Sequence, residues 1–315
     1  MNLGYACINM KLSYPKKYGL DQHRITMNRS MIKRTFDEKG LDYTSELVMK
    51  NVADLHSIIQ WNEDNGIKFF RMSSETFPWA SEYYQDWTKF PNIRFIHAML
   101  SDCGKLANEY GHRLTAHPGP FNVLVSPNED VVQNTITDLT IHADIMDFMG
   151  LSRTPYNKLN IHCNGVYGDK ESALDRFCKN FERLPESVQS RLTVENDDKA
   201  SMYSVKDLYE GIHKRIGIPI VFDYHHYKFN TGGQTEQEAL EMALSTWGDI
   251  KPVVHYSESK AEHELNESIK PQAHSDLIEE LPNTYGNDVD IMVEAKHKEL
   301  AIKSFVKYFT QLKDL

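Results

Sequence analysis

The stretch IPIVFDYHHYKFNTGG, residues 218–233, decides the fold because it shows how one buried segment passes into a polar loop. It begins as an apolar run that stops at Asp223, and His225 and His226 follow almost at once. A short, continuous apolar run is typical of a strand that is covered on both faces of a parallel sheet. An acid and two imidazoles at the end of such a strand indicate a site that binds a metal or moves a proton.

The same order, a short apolar run and then an amphipathic stretch, occurs eight times along the chain. Strands are predicted at residues 2–8, 67–74, 113–117, 158–164, 191–197, 218–223, 252–257 and 289–296. Helices are predicted at residues 45–66, 92–110, 128–149, 169–184, 204–216, 235–247, 275–281 and 297–313, with glycine ending the first three. Eight βα units without a linker predict an α/β protein, a single TIM-type (β/α)8 barrel domain over residues 1–315. The alternative, an open doubly wound sheet, would carry a glycine-rich loop after its first strand, and this sequence has none.

Composition restricts the classes of partner. The 35 basic and 45 acidic residues give a formal net charge of −10, which by itself argues weakly against a polyanionic partner. Divalent cations held by acids and histidines would reverse that sign locally. The four cysteines form no C-x-x-C pair and no segment is apolar enough to cross a bilayer. We therefore expect an intracellular protein with reduced thiols and no membrane partner, in the cytoplasm with the nucleoid if the source is prokaryotic.

Six successive predicted strands end in a residue that can bind a metal or move a proton. In a TIM barrel, function concentrates where each strand passes into its helix. Chance would give such a series roughly once in a thousand sequences. Buried acids and imidazoles repel one another or lack partners unless cations lie between them, and this mixed ligand set suits Zn²⁺ or Mn²⁺. The sequence therefore predicts a divalent-metal site at the barrel mouth, built from His117, His162, Glu195, Asp223, His255 and Glu294.

Spacing leaves the other ligands of this site open. Asp223 could act with His225, with His226 or with both. The loop after the seventh strand offers His263 and His274, and the loop after the second strand offers Glu75 and Glu82.

The first loop, residues 11–34, is basic. It contains one acid, two interleaved tyrosines and seven basic residues: Lys11, Lys16, Lys17, Arg24, Arg29, Lys33 and Arg34. A basic run is usually a solvated loop. At the mouth of a metal-lined barrel it favours contact with phosphate, and so with nucleic acid.

Eight segments lie at or next to the predicted strands in this order: LGYACIN, RMSSETFPWASE, TAHPGPF, NIHCNGVYG, TVENDDK, FDYHH, VHYSE and DIMVEAKHKE. In the order and strand positions of these segments the chain resembles the UV damage endonucleases, and the resemblance covers nearly its whole length. The resemblance implies a TIM barrel with three clustered divalent ions, expected to be Mn²⁺, with Zn²⁺, Co²⁺ or Mg²⁺ as alternatives. It also implies a monomer that acts on damaged double-stranded DNA. Such an enzyme nicks the strand 5′ to cyclobutane dimers, 6-4 photoproducts and some other lesions, leaving a 3′-hydroxyl and a 5′-phosphate.

The resemblance also implies roles for particular residues. The implied metal ligands are His117, His162, Glu195, Asp223, His226, His255, His274 and Glu294, with Glu82 where the family has a ninth, histidine ligand. The implied catalytic residues are Glu195, Asp223, His226 and Glu294. The implied DNA contacts are Tyr5, Lys16, Lys17, Arg24, Arg71, Pro120, Phe121 and Tyr167.

Two further positions depart from the family pattern. A family lysine two residues before the seventh-strand histidine falls on Val253. The glutamine of the Gln-aromatic pair that enters the duplex opposite the lesion falls on Pro120, beside Phe121.

Two other functions fit the residues. A metal-dependent sugar isomerase also has His, Glu and Asp residues around the mouth of a barrel, but it needs no basic first loop. A non-catalytic damage-binding protein is compatible with the departures at Glu82, Val253 and Pro120. Turnover of aldoses would identify the first, and binding of irradiated DNA without incision the second.

Overall fold

Eight parallel strands close into one barrel in chain order, and each pairs with its neighbours in the sequence while the last pairs with the first. The computed structural model describes residues 1–80 and 87–313. The strands are β1 Leu3–Ala6, β2 Phe69–Met72, β3 Arg113–Ala116, β4 Leu159–Ile161, β5 Leu192–Glu195, β6 Ile220–Asp223, β7 Val253–Tyr256 and β8 Asp290–Val293. The predicted TIM-type barrel is confirmed, and the open-sheet alternative is wrong.

Helices follow the strands and cover the barrel. The main ones are α1 Lys33–Asp64, α2 Ile93–Glu109, α3 Glu129–Phe148, α4 Lys170–Phe181, α5 Val205–Leu208, α6 Lys214–Ile216, α7 Glu236–Leu244 and α8 Glu299–Lys313. A π-helical turn, Tyr209–His213, joins α5 to α6. Shorter helical segments are Met10–Ser13, Pro15–Tyr18, Ser74–Thr76, Trp87–Lys89, Pro155–Asn157, Glu186–Gln189, Tyr224–Tyr227, Ser245–Trp247 and Lys260–His263. Among the helices described, none is long and apolar enough to cross a membrane.

Two helix predictions need correction. Helix α1 begins at Lys33 rather than at residue 45, and it continues through a break at Gly40, where φ is 64°. The helix predicted at residues 275–281 is not formed. There the carboxylate of Glu258 accepts the backbone N–H groups of Glu279 and Glu280, at 3.0–3.1 Å. These bonds hold that segment against the loop that follows β7, so its backbone donors are satisfied without a helix.

Side chains alternate along each strand between the outer core and the barrel interior. The outer core lies between strands and helices. Inside the barrel, Phe69, Val221, Val253 and Met292 pack together with two further side chains as a separate apolar cluster. Each of the four stands two residues before a polar residue at or near the end of its strand. The barrel therefore has an apolar floor and a polar mouth, and Phe69 fits because a Cβ on Gly4 would lie only 2.5 Å from its ring.

Candidate metal centre

Glu195, at the end of β5, is the centre of the polar mouth. Its carboxylate is 1% exposed and lies close to one nitrogen of each of four histidines. The distances are 3.0 Å to His255 Nδ1, 3.2 Å to His117 Nε2, 3.4 Å to His226 Nδ1 and 3.7 Å to His162 Nε2. These histidines lie on or just after four different strands, so barrel closure itself brings them together.

Three overlapping groups of side chains could each hold a cation, because their ligand atoms lie within 4.8 Å of one another. Glu195 belongs to two groups and so does Asp223, which means that neighbouring ions would share a carboxylate. The groups are His117–His162–Glu195, Glu195–Asp223–His226 and Asp223–His255–Glu294. Seven of the nine predicted ligands thus lie at one place.

The remaining candidate ligands lie at different places in the structure. His274 lies beside the buried His225, with 5.2 Å between ring centroids, at the edge of the cluster. His263 instead makes a hydrogen bond to Glu258, whose carboxylate also accepts a hydrogen bond from Tyr256 Oη. His263 therefore belongs to the hydrogen-bond network of the loop that follows β7. Glu75 is exposed, and Glu82 lies outside the described residues.

Three of the histidines have an oxygen atom close to Nδ1. His226 Nδ1 donates to the backbone carbonyl of Asn196 at 2.9 Å, and His117 Nδ1 lies 3.3 Å from the carbonyl of Pro118. His162 Nδ1 lies 3.0 Å from Asp197 Oδ1 as an ion-pair contact without hydrogen-bond geometry. Metal-binding histidines typically donate their second N–H to a carbonyl or carboxylate in this way, which leaves Nε2 for the ion. The two residues after Glu195 were not predicted to take part, although both are polar.

Several buried atoms of the cluster have no hydrogen-bond partner among the described residues: Asp223 Oδ2, His162 Nδ1, His255 Nδ1 and His274 Nδ1. Buried polar atoms in proteins are nearly always satisfied. Imidazole nitrogens and carboxylate oxygens are also the ligands that Mn²⁺ and Zn²⁺ accept. The donor set therefore fits divalent cations.

Burial and neighbouring charges set the proton affinities of the cluster. Burial raises the pKa of Asp223 to about 7, with His226 opposing and Glu195 adding to the rise. For His226, burial alone would lower the pKa, but the charges of Asp223 and Glu195 raise it to about 9. Burial opposes ionisation of Glu294, yet the adjacent Arg71 guanidinium holds the pKa of that carboxyl well below its usual range. Protons and cations therefore compete most directly at Asp223 and His226.

A cavity of about 290 Å³ opens above these side chains, and its wall includes Arg71, His117, Pro120, Asn164 and Glu195. Arg71 forms an ion pair with Glu294 and its side chain is only 14% exposed. A group that enters this cavity meets one fixed positive charge and the ring of potential ligands.

Comparisons with known proteins show the family and the fold of the chain. The family described as UV-endonuclease UvdE matches residues 1–315. The chain belongs to that family. Among UvdE relatives, a UV-damage endonuclease of Schizosaccharomyces pombe is 38% identical over 95% of this chain, which spans 49% of that relative's length. The crystal structure of SacUVDE superposes with a TM-score of 0.81 at 32% identity and full coverage of both chains. A D-tagatose 3-epimerase-like protein, at 14% identity, covers 99% of this chain and 97% of its own with a TM-score of 0.56, and it shares the fold alone.

Two exposed aromatic side chains stand at the mouth of this UvdE barrel. Phe121 is 62% exposed and Tyr167 is 51% exposed. Each ring lies against a glycine two residues earlier, since a Cβ on Gly119 would be 2.4 Å from the Phe121 ring and one on Gly165 would be 2.7 Å from the Tyr167 ring. Asn164 Nδ2 donates to the carbonyl of Asn122 at 3.3 Å and joins the two loops. Each ring therefore packs against the backbone of its own loop and leaves about half or more of its surface exposed.

The UvdE resemblance also predicted Tyr5 as a DNA contact, and that prediction does not fit its position. Tyr5 is fully buried, its hydroxyl donates to Asn62 at 2.7 Å and accepts from Asn9 at 3.0 Å, and its ring packs against Phe70. A ring held in this way is not presented to a ligand at the mouth.

Only part of the predicted basic loop is available for phosphate. Lys16, Lys17 and Arg24 are exposed, as is Pro120 on the neighbouring loop. Arg29 instead pairs with Asp54 at 2.7 Å. The last two basic residues, Lys33 and Arg34, lie on the first turn of α1, where they pair with acids four residues later. For Lys33 and Arg34 the structure therefore favours solvated side chains over contacts with phosphate.

Proposed function

We propose that this protein is a metal-dependent endonuclease that nicks double-stranded DNA 5′ to UV photoproducts, namely cyclobutane dimers and 6-4 photoproducts, and to some other lesions. The observation that carries the proposal is the set of three overlapping ligand groups that share Glu195 and Asp223. Membership of the UvdE family supports the same conclusion. We propose three divalent ions, Mn²⁺ first, and a monomeric enzyme.

When bound, the ions would supply positive charge to the phosphate oxygens and lower the pKa of a water molecule. Glu195, Asp223, His226 and Glu294 would hold them, with the three remaining histidines of the groups. The backbone carbonyl of Asn196 keeps His226 in the tautomer that leaves Nε2 available. The Arg71 guanidinium is raised in pKa by Glu294 against the effect of burial, so it stays charged and can bind a phosphate oxygen.

Recognition of damage would occur on the face that carries Phe121 and Tyr167. A photoproduct stacks poorly, so less energy is needed to take its two nucleotides out of the helix. An exposed aromatic ring can then fill part of the gap and stack on a neighbouring base. Pro120 adds a rigid apolar surface but none of the hydrogen bonds of a glutamine. Lys16, Lys17 and Arg24 would bind the backbone on either side.

The test is incision of a labelled duplex that contains one photoproduct, with Mn²⁺ and the purified protein. We expect a nick on the 5′ side of the lesion, a 3′-hydroxyl end, and no cutting of the matched undamaged duplex. Glu195→Gln should abolish the nick. Glu75→Gln, an exposed acid of the same mouth outside the three groups, is the matched control and should retain it. Equal cutting of both duplexes would contradict the proposal.

The same preparation separates the rival functions. Binding of irradiated duplex without incision under every divalent metal would support a damage-binding protein. Isomerisation of aldoses without any nicking would support a sugar isomerase. The similarity to an epimerase-like barrel lies at the level of the fold and does not favour that chemistry.

A further inference from the structure

Lys158 is a fully buried lysine that the proposed mechanism does not use. It stands directly before β4, on the same face of the strand as Asn160 and His162, and its exposure is 0%. Its Nζ lies 3.1 Å from Nε2 of His255. Among residues 1–80 and 87–313, that ring nitrogen is the one hydrogen-bond partner of the Lys158 Nζ.

Burial of this lysine without a carboxylate partner among the described residues lowers the stability of the fold. Lysine is almost never fully buried unless it is paired with an acid. In the described part of the chain no acid lies within ion-pair distance of Lys158. The two acids of the cluster have other partners: Glu195 contacts the histidines, and Glu294 pairs with Arg71. A polar group that lowers stability in the core is a candidate for a functional role.

The orientation of His255 differs from that of the other histidines. Nδ1 of His117 and Nδ1 of His226 each face a backbone carbonyl, although His226 Nδ1 also lies 3.4 Å from Glu195 Oε1. Among the described residues His255 Nδ1 has no backbone partner and faces two acids, 3.0 Å from Glu195 Oε2 and 3.3 Å from Glu294 Oε1. Its opposite nitrogen, Nε2, is the one that faces Lys158. A half-turn of the ring would replace Nδ1 by a carbon atom. Val253, two residues earlier on the same face of β7, is apolar and offers the ring no hydrogen bond.

We propose that Lys158 is a positioning residue that fixes the ring of His255 through Nε2, so that Nδ1 faces the group formed with Asp223 and Glu294. A neutral ring whose Nδ1 binds an ion carries its proton on Nε2, so this N–H donates to the amine nitrogen of Lys158. The inference deepens the proposed metal function and rests on it. Lys158 acts through His255 and touches no substrate.

The test uses Lys158→Met, which keeps the length of the side chain and removes its polar atom. Calorimetric titration with Mn²⁺ should give a dissociation constant about 10- to 100-fold higher than that of the wild type. The thermal midpoint of the metal-free variant should stay the same or rise, because a buried ionisable group without a carboxylate partner is removed. A purely structural role would do the reverse, lowering the midpoint and leaving the affinity of the folded protein unchanged.

Two controls isolate the pathway through His255. In a His255→Ala background, Lys158→Met should cause no further loss of Mn²⁺ affinity. Lys68→Met is the matched control, because Lys68 precedes β2 as Lys158 precedes β4 but pairs with Glu63 outside the cluster. It should leave Mn²⁺ affinity unchanged. Lys158→Gln, which keeps a polar end, should recover part of the affinity and replaces the methionine variant if that one fails to fold.

A metal-free measurement separates this inference from the proposed function. Long-range ¹H–¹⁵N spectra of histidine-labelled protein report the state of each ring. Lys158→Met should shift the His255 signals and leave those of His117 and His226 in place. Wild-type protein that binds Mn²⁺ but cuts no irradiated DNA would refute the proposed function alone. Unchanged His255 signals and unchanged or tighter Mn²⁺ binding in a folded Lys158 variant would overturn the inference.

Discussion

Replacing Glu195 with glutamine removes one negative charge from the centre of the cluster and keeps the size of the side chain. Glu195 belongs to two of the three ligand groups, whereas Glu294 belongs to one. Glu195→Gln should therefore weaken two cation sites and Glu294→Gln one. At an effective dielectric constant of about 20, two unit charges about 4 Å apart interact by roughly 4 kcal/mol, and a carboxylate with a divalent ion by about twice that. If desolvation offsets about three quarters of the larger figure, about 2 kcal/mol remains and binding weakens about 30-fold at each affected site.

The assay is elemental analysis of protein equilibrated with Mn²⁺ near the wild-type dissociation constant, together with incision of irradiated duplex. We expect Glu195→Gln to retain the least metal, Glu294→Gln an intermediate amount, and the exposed control Glu75→Gln the wild-type amount. Asp223→Asn should match Glu195→Gln, because Asp223 is also shared by two groups. Metal content in Glu195→Gln equal to or above that in Glu294→Gln would refute the shared-carboxylate arrangement.

Three further predictions concern DNA, pH and metal removal. Phe121→Ala should weaken binding of damaged duplex by about 1–3 kcal/mol, measured by fluorescence anisotropy, because a stacking ring is lost. Its thermal stability should change by less than about 0.5 kcal/mol, because the ring is 62% exposed; an unchanged affinity would remove Phe121 from the DNA face. Mn²⁺ affinity should fall as pH drops through about 9 and then about 7, where His226 and Asp223 take up protons, and a titration that is flat over that range would contradict this competition. Mn²⁺ at about 100 times its dissociation constant should stabilise the fold by about 2.7 kcal/mol and a chelator should reverse this; a thermal midpoint independent of metal would count against a resident ion.

The strands and their final residues could be predicted from the sequence because a buried parallel strand leaves a local signature. An apolar run such as the one before Asp223 ends where the chain leaves the barrel, and the next residues must lie at the mouth. The same rule applies to Glu195 and His255, which is why most of the cluster could be identified without coordinates. Nothing local separates His225 from His226, since the chain turns between them and the alternation of faces is lost.

The features that could not be predicted depend on contacts between distant parts of the chain. Tyr5 lies on a strand, and its burial is decided by Asn62 and Phe70, more than fifty residues away. The segment 275–281 remains non-helical because Glu258 accepts its backbone donors. Lys158 precedes an apolar strand and carries no sequence signal of its own, since its partner His255 is 97 residues later.

The apolar floor of the barrel has a consequence for the order of events during turnover. Phe69 packs directly against Gly4, and at the start of β3 and β8 the buried Arg113 pairs with Asp290 at 3.2 Å, so the lower end is filled by side chains. Ions can then enter or leave only through the barrel mouth. A bound duplex would lie across that mouth and block it. Loading with metal should precede capture of the lesion, and an enzyme already seated on DNA should exchange its ions slowly with the surrounding solution.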